Sequence, residues 1–271
     1  MYNFNGKLSK NGPLIMGILN VTEDSFYDGG KYRTEEAVRE RAAQILSEGG
    51  DIIDIGAMST RPNALEISEE EESSRIVSAV KLIRESFPDA VLSIDTYRAA
   101  VAEAAVEAGA DMINDISGGT FDDEMIPTVG RLQVPYCLMH TPAKPAVMQQ
   151  HTDYKDILAE MLQFFGRQIA KLHEHSVHDI ILDPGFGFGK TLEQNYFLMK
   201  NLEVFLELGY PLLVGISRKS MIYKLLGTTP DQALTGTTVL NTFSLMKGAD
   251  ILRVHDVKEA VETRKIVSCM L

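Results

Sequence analysis

Polar residues of a few chemical kinds recur at one kind of place in this 271-residue chain, directly after short apolar runs. In order they are Asn20; Ser59, Thr60 and Arg61; Asp95; Asn114 and Asp115; His140; Asp183; Ser217, Arg218 and Lys219; and Arg253 with His255. Arg253 and His255 lie inside an otherwise apolar run (ADILRVHD, 249–256) and share one side of a strand under two-residue alternation. A guanidinium beside an imidazole suits an oxyanion. Asp95 and Asp183 each close an apolar run, so each carboxylate belongs in a partly desolvated pocket and needs a partner there. The adjacent N–H donors of an aminopyrimidine-type edge would satisfy one of them by a bidentate pair. Acid/base chemistry is the alternative, although no third residue obviously positions either carboxylate as a base. Helix capping is the plain reading of part of this set, as at Thr96 or Asp256. It does not account for Arg253 and His255, and the opposite strand ends show no comparable set.

The tract DPGFGFGKT (183–191) invites a nucleotide-binding reading that its spacing refuses. A phosphate loop of the form G-x-x-x-x-G-K-[ST] would need glycine where Pro184 stands, and a dinucleotide fingerprint would need glycine where Lys190 stands. Glycines that let the backbone approach a flat ligand, with Phe186 or Phe188 free to stack, fit better; Pro184-Gly185 as a simple turn stays open. TEDSFYDGGKY (22–32) and STRPNALEISEEEE (59–72) read as ligand-facing loops or as ordinary exposed ones. Glu69 to Glu72 read as an acidic first helical turn on a solvated face.

These residues need a frame that brings strand ends together. Eight apolar runs, at 13–20, 51–56, 90–95, 111–117, 134–140, 179–185, 211–217 and 249–256, alternate with amphipathic stretches such as TEEAVRERAAQILSEG and DILAEMLQFFGRQIAKLHEH. Several of these stretches stop at glycine, at Gly49, Gly109 and Gly248. Nearly continuous apolar strands belong to a parallel sheet covered by helices. Eight units in a chain close to the usual size of about 250 residues predict a (β/α)8 TIM barrel in one domain over 1–271, with an open doubly wound sheet as the alternative. In a barrel all the polar strand ends share the face where active sites form.

A hydrophobic share of 45% and a charged share of 24% are those of a globular protein. The net charge of -12 argues against nucleic acid as a partner while leaving room for a small anionic substrate. No run is long enough for a membrane span and the first residues lack a secretory pattern, so a cytoplasmic location is expected. Cys137 and Cys269 have no metal-ligand spacing, and Cys137 reads as an inert buried thiol.

Taken together, NVTEDSFYDGG, STRP, SIDTYR, NDISGG, MH with the following P and MQ, DPGFGFGKT, SRKS and RVHDV resemble the dihydropteroate synthases over positions 20 to 257. The resemblance implies the (β/α)8 fold and a homodimer. It implies condensation of 6-hydroxymethyl-7,8-dihydropterin diphosphate with 4-aminobenzoate, releasing pyrophosphate with Mg2+ assisting. It assigns Asp95, Asn114, Met139, Asp183 and Lys219 to a pterin pocket, and Asn20, Thr60, Arg61, Arg253 and His255 to the diphosphate, Asn20 also to the metal. Thr60, Pro62, Phe188, Lys219 and Ser220 would surround the aminobenzoate, where sulfonamides compete. Asp95, Lys219, Arg253 and His255 would act in a dissociative substitution at the pterin methylene. Cationic groups would hold the leaving group while Asp95 steadies the pterin cation. The chain departs from the family pattern at Glu23, Tyr27, Met58, Asn63 and Ala143, all in loops or at the pocket edge. Two rivals share the pterin contacts: a methyltransferase that passes a methyl group from a folate to a corrinoid protein, and a non-catalytic pterin binder. Arg61, Lys219, Arg253 and His255 weigh against the first, and pyrophosphate release would exclude the second.

Overall fold

The computed structural model describes residues 12–21, 31–58 and 67–270, the side chains of residues 31–34 excepted. Its strands are β1 (Leu14–Asn20), β2 (Ile52–Gly56), β3 (Val91–Asp95), β4 (Met112–Asp115), β5 (Tyr136–Met139), β6 (Ile180–Asp183), β7 (Leu213–Val214) and β8 (Ile251–Val254). The helices between and after them are α1 (Lys31–Ser47), α2 (Glu69–Ser86), α3 (Ala99–Glu107), α4 (Met125–Leu132), α5 (Ile157–Glu174), α6 (Leu192–Lys200), α7 (Ser220–Leu226), α8 (Leu234–Met246) and α9 (Val257–Ser268). All strand pairs are parallel, in the order β6-β5-β4-β3-β2-β1-β8-β7. A parallel bridge between Leu182 and Leu212 closes β6 onto the start of β7. The ring is the expected (β/α)8 barrel, not an open sheet.

Two-residue alternation sorts each strand into two cores. Leu14, Met16, Ile52, Val91, Met112, Cys137, Ile181, Leu213 and Ile251 point inward and fill the lower barrel as one cluster. Ile15, Leu19, Ile53, Ile55, Leu92, Ile94, Leu138, Leu182 and Leu252 point outward beneath the helices. Both faces are apolar, which is why the runs look continuous in sequence. Each such side chain contributes about 1.5–3 kcal/mol on burial, so the two cores together fix the pleat. Cys137 is buried and free, and burial pushes its thiol well up, so it is inert as expected. Gly49, Gly109 and Gly248 follow α1, α3 and α8 with φ of 91°, 113° and 90°, conformations that suit glycine at a helix end.

Two expectations need correction. The first turn of α2 is capped by Ser68, which accepts from the Glu71 N–H at 3.2 Å, but it is not wholly solvated. Glu72 is fully buried, accepting from Thr96 Oγ1 at 2.7 Å and Arg98 Nη1 at 2.8 Å. Helical periodicity turns it inward while its neighbours face water. Nor is the N-terminal barrel face free of polar residues. Asp51 accepts from the Ile15 N–H at 2.9 Å, Asp111 from Leu92 N–H at 2.9 Å and Asp250 from Leu212 N–H at 2.9 Å. Arg264 pairs with Asp51 and Arg84 with Asp111. These carboxylates satisfy backbone donors at strand starts; theirs is a stabilising role at the face opposite the site.

Candidate active site

Above the apolar plug the inward positions turn polar. Asn20, Gly56, Asp95 and Asn114 stand in register around β1 to β4. Two residues below Gly56, Asp54 is fully buried and acts as the hub. Its Oδ1 accepts from Ser93 Oγ at 2.6 Å; its Oδ2 accepts from Asn114 Nδ2 at 3.1 Å and from Arg253 Nε at 2.6 Å. Arg253 also donates Nη2 to Asp95 Oδ2 at 2.6 Å. Arg253 therefore lies across the barrel between two carboxylates, and His255 stands two residues above it at the rim.

Burial sets the charge states here. It pushes Asp95 up to about 7, with Arg253 opposing and Asp54 adding to the rise. Asp183 is likewise raised by burial, against Lys219, the Gly185 N–H (2.7 Å to Oδ1), Arg253 and Lys190. Burial works against the Arg253 charge, but Asp54 and Asp95 more than offset it, so the guanidinium is held above its ordinary range. Lys219 is lowered to about 8 by burial, Asp183 opposing and Arg253 reinforcing. His255 is lowered to about 4 by burial and by Arg253, so its ring is neutral at pH 7.

The DPGFGFGKT tract is built for its own packing as much as for a ligand. Gly185, Gly187 and Gly189 take φ of 67°, 83° and 57°. A Cβ on Gly185 would meet the His140 carbonyl at 2.1 Å, and one on Gly189 would meet Pro142 Cγ at 2.2 Å; only Gly187 faces the site, 3.4 Å from Lys219 Cδ. Lys190 is buried and donates to the carbonyls of Gly185 (2.9 Å), Phe188 (2.9 Å) and His140 (3.3 Å), so it ties the loop together from within. Phe186 is fully buried in the outer core and cannot stack on a ligand. Phe188 can: it lies under Lys219 Nζ, 4.7 Å from the ring centroid, in a third apolar cluster with Tyr97, Ile116, Met139 and Met148. Met58 and Ala143, two of the departures from the family pattern, pack at the edge of that cluster.

Lys219 precedes α7 and Ser220 opens it, both half-buried, and Lys219 Nζ also donates to the Phe186 carbonyl at 2.6 Å. The intervening motif residue is structural. Arg218 adopts φ 55° and forks onto Asp256 with bonds of 2.9 and 2.7 Å, locking SRKS to RVHD. Asp115 and His140 are strand-end residues with structural duties as well. Asp115 accepts from Ser117 N–H, Gly119 N–H and the Tyr136 hydroxyl (2.7, 2.7 and 2.5 Å), and His140 lies against Lys190 with Nδ1 3.2 Å from Nζ.

The structure thus gathers Asn20, Asp95, Asn114, Met139, Asp183, Phe188, Lys219, Ser220, Arg253 and His255 at one mouth. Thr60, Arg61 and Pro62, with Glu23, Tyr27 and Asn63, lie outside the described residues. Asp54, Ser93 and Lys190 escaped the reading of strand ends because they lie below or beside them. The alternation that picked out Arg253 would have found Asp54, inward between Ile52 and Gly56. For Mg2+, no three His, Cys, Asp or Glu residues converge among the described ones. Asn20 is exposed at the rim, and its side-chain oxygen takes no hydrogen bond from the described residues. Mg2+ keeps waters and takes one or two protein oxygens beside substrate phosphates, so this donor set fits an ion carried mainly by a diphosphate.

Known proteins share this arrangement across its length. The model of the pterin binding enzyme family matches residues 16–255. A dihydropteroate synthase of Clostridium beijerinckii is 45% identical over 260 residues, 95% of this chain and 94% of that one. The Yersinia pestis dihydropteroate synthase, solved with a sulfonamide drug complex, superposes with a TM-score of 0.90 at 41% identity, covering 97% of this chain and 96% of that one. The Xanthomonas albilineans dihydropteroate synthase, solved with 4-aminobenzoic acid, gives 0.91 at 36% identity over 99% and 97%. Fold, strand-end chemistry and kinship agree: the chain belongs to the pterin-binding enzyme family, among its dihydropteroate synthases.

Proposed function

We propose that this chain condenses 6-hydroxymethyl-7,8-dihydropterin diphosphate with 4-aminobenzoate, giving 7,8-dihydropteroate and pyrophosphate in folate biosynthesis. The carrying observation is the set of acceptors at the mouth, Asp183 and Asn114, beside the cations Lys219 and Arg253. The pterin's amino-pyrimidinone edge presents donors to the first pair, and Met139 and Phe188 offer apolar surface to its ring. The C–O bond at the exocyclic methylene breaks with its electron pair leaving on pyrophosphate. The arylamine lone pair then forms the C–N bond, and the amine proton passes to solvent. An arylamine is already neutral and nucleophilic at pH 7, so no strong base is needed. Asp95, ionised above about 7, faces the transient pterin cation. His255 is neutral before substrate arrives and has an N–H to give the departing anion, with Arg253 and Asn20 on the same side; the family resemblance assigns Thr60 and Arg61 to the diphosphate as well. Mg2+, held on the protein side by Asn20, supplies charge neutralisation to the leaving group when bound. The family resemblance assigns Thr60, Pro62, Phe188, Lys219 and Ser220 to the aminobenzoate, and of these Phe188 and Lys219 lie together at the mouth.

The unit of action is proposed to be a cytoplasmic homodimer of one barrel domain spanning 1–271. Leu225 and Leu226 of α7 and Val239, Phe243 and Met246 of α8 expose apolar side chains on neighbouring helices, a face suited to a second copy. The thiol of Cys269 is exposed and free, which suits a reducing compartment, and no described helix is long and apolar enough to cross a membrane. The test is to incubate the protein with both substrates and Mg2+, following pyrophosphate and dihydropteroate together, for the natural chain and for Lys219→Ala and Arg253→Ala. Product from the natural chain and loss of most of it in the folded variants supports the assignment. Pterin binding without pyrophosphate release contradicts it.

A further inference from the structure

We propose that Asp54 is a positioning residue that fixes which face of the Asn114 amide the pocket offers to the pterin, a role that rests on the reaction proposed above. Asp54 is fully buried, so its carboxylate acts on the pocket through its neighbours. A carboxylate is an acceptor only, so the Asn114 atom 3.1 Å from Asp54 Oδ2 is the amide nitrogen, and the carbonyl Oδ1 is turned the other way. No described donor takes that Oδ1, and it is not among the buried polar atoms left without a partner, so it opens on the pocket. Asp183 has the same polarity: Oδ1 is occupied by the Gly185 N–H at 2.7 Å, which leaves Oδ2 for a ligand.

Two acceptors facing one pocket select a ring edge made of donors, such as an amino group beside a ring N–H. If the amide were reversed, its NH2 would meet those donors, and a buried donor against a donor is strongly disfavoured. Ser93, a second polar neighbour of Asp54, cannot enforce the choice, because a hydroxyl donates as readily as it accepts. Arg253 cannot either, being itself held by Nε to Asp54 and Nη2 to Asp95. Asp54 is the one described group whose chemistry allows a single answer for Asn114.

The readout is ring-edge preference. Dissociation constants are measured for 6-hydroxymethylpterin and for 6-hydroxymethyllumazine, which carries an oxo group in place of the amino group, together with KM for both substrates. In Asp54→Leu no acceptor remains. The pterin-over-lumazine preference is expected to narrow about tenfold or more, and the KM for the pterin diphosphate to rise by a similar factor. The KM for aminobenzoate should stay within about twofold. Asp54→Asn keeps an acceptor for Asn114 while turning its own amide toward Ser93, so it should retain the preference to within about threefold. If Asp54→Leu does not fold, Asp54→Ser carries the same test, since its hydroxyl leaves the Asn114 amide unassigned. A folded Leu or Ser variant with unchanged preference overturns the proposal, as does an Asn variant that loses the preference as fully as Leu. Failure of the reaction itself is distinguishable: a natural chain that prefers pterin but makes no dihydropteroate leaves the ring-edge comparison intact.

Discussion

Replacing Arg253 with methionine removes the cation that bridges Asp54 and Asp95 while keeping most of the side-chain volume. Breaking a buried ion pair from one side typically costs about 3–5 kcal/mol, because the carboxylate left behind has lost water without keeping its partner. The two pairs share one guanidinium and are not additive. Asp54 retains the Ser93 hydroxyl and the Asn114 amide, and Asp95 can relieve its charge by taking a proton. The expected loss is therefore about 3–5 kcal/mol in total, not twice that. The sign of its pH dependence follows from Asp95. Its pKa is raised in the folded protein to about 7 from 3.8, so the folded state binds more protons than the unfolded one between those values, and the stability it contributes at low pH is lost as pH rises through about 7. Without Arg253 the folded value rises further and the window widens upward. Urea unfolding followed by circular dichroism at pH 5.5 and pH 8.5 should show Arg253→Met destabilised at both, and clearly more at pH 8.5. A loss under about 1 kcal/mol, or one that is larger at pH 5.5, would refute the view of Arg253 as the counter-charge of a buried acidic hub.

Lys190→Met leaves three carbonyls without their shared donor. We expect about 2–4 kcal/mol lower stability and faster proteolytic cutting within 183–191, read by mass spectrometry of the fragments. Gly185→Ala should fail to accumulate as folded protein, because its Cβ would lie 2.1 Å from the His140 carbonyl. Gly187→Ala, with ordinary space beside Lys219 but φ 83°, should fold with a penalty of about 1–2 kcal/mol, measured as a shift in melting temperature. Val239→Asp places a charge on the exposed apolar face of α8 and should convert the proposed dimer to a monomer in sedimentation experiments, with the pterin affinity within about twofold of the natural chain. An unchanged sedimentation coefficient would remove α8 from the interface.

The sequence made the barrel legible because a strand buried on both faces has nowhere to hide its apolar run, and eight such runs in 271 residues leave few alternatives. The strand ends were legible for the same reason, since Asp95, Asp183, Lys219 and His255 interrupt or close those runs. What lay deeper was harder to read. Asp54 looks like an ordinary member of DIIDIG until alternation is applied, and its partners come from β3, β4 and β8, which only closure brings together. Lys190 sits where a phosphate loop carries its lysine and where a dinucleotide fingerprint needs glycine, whereas here it binds its own loop's carbonyls. Glu72 and Asp115 were hidden for the opposite reason, because local signals, a helix start and a strand end, explain them without burial. Asp51, Asp111 and Asp250 show that strand starts also carry charge, and that polarity at a strand terminus needs its partners before it can be assigned to chemistry.

The proposed reaction is tested most directly by where the substrate bond breaks. With heavy oxygen in the bridge between the pterin methylene and the diphosphate, mass spectrometry of the products locates it. Dihydropteroate formed without the label, with all of it in pyrophosphate, is the result predicted for substitution at the methylene. Label retained on a pterin alcohol, with no carbon–nitrogen bond to aminobenzoate, would contradict substitution at the methylene.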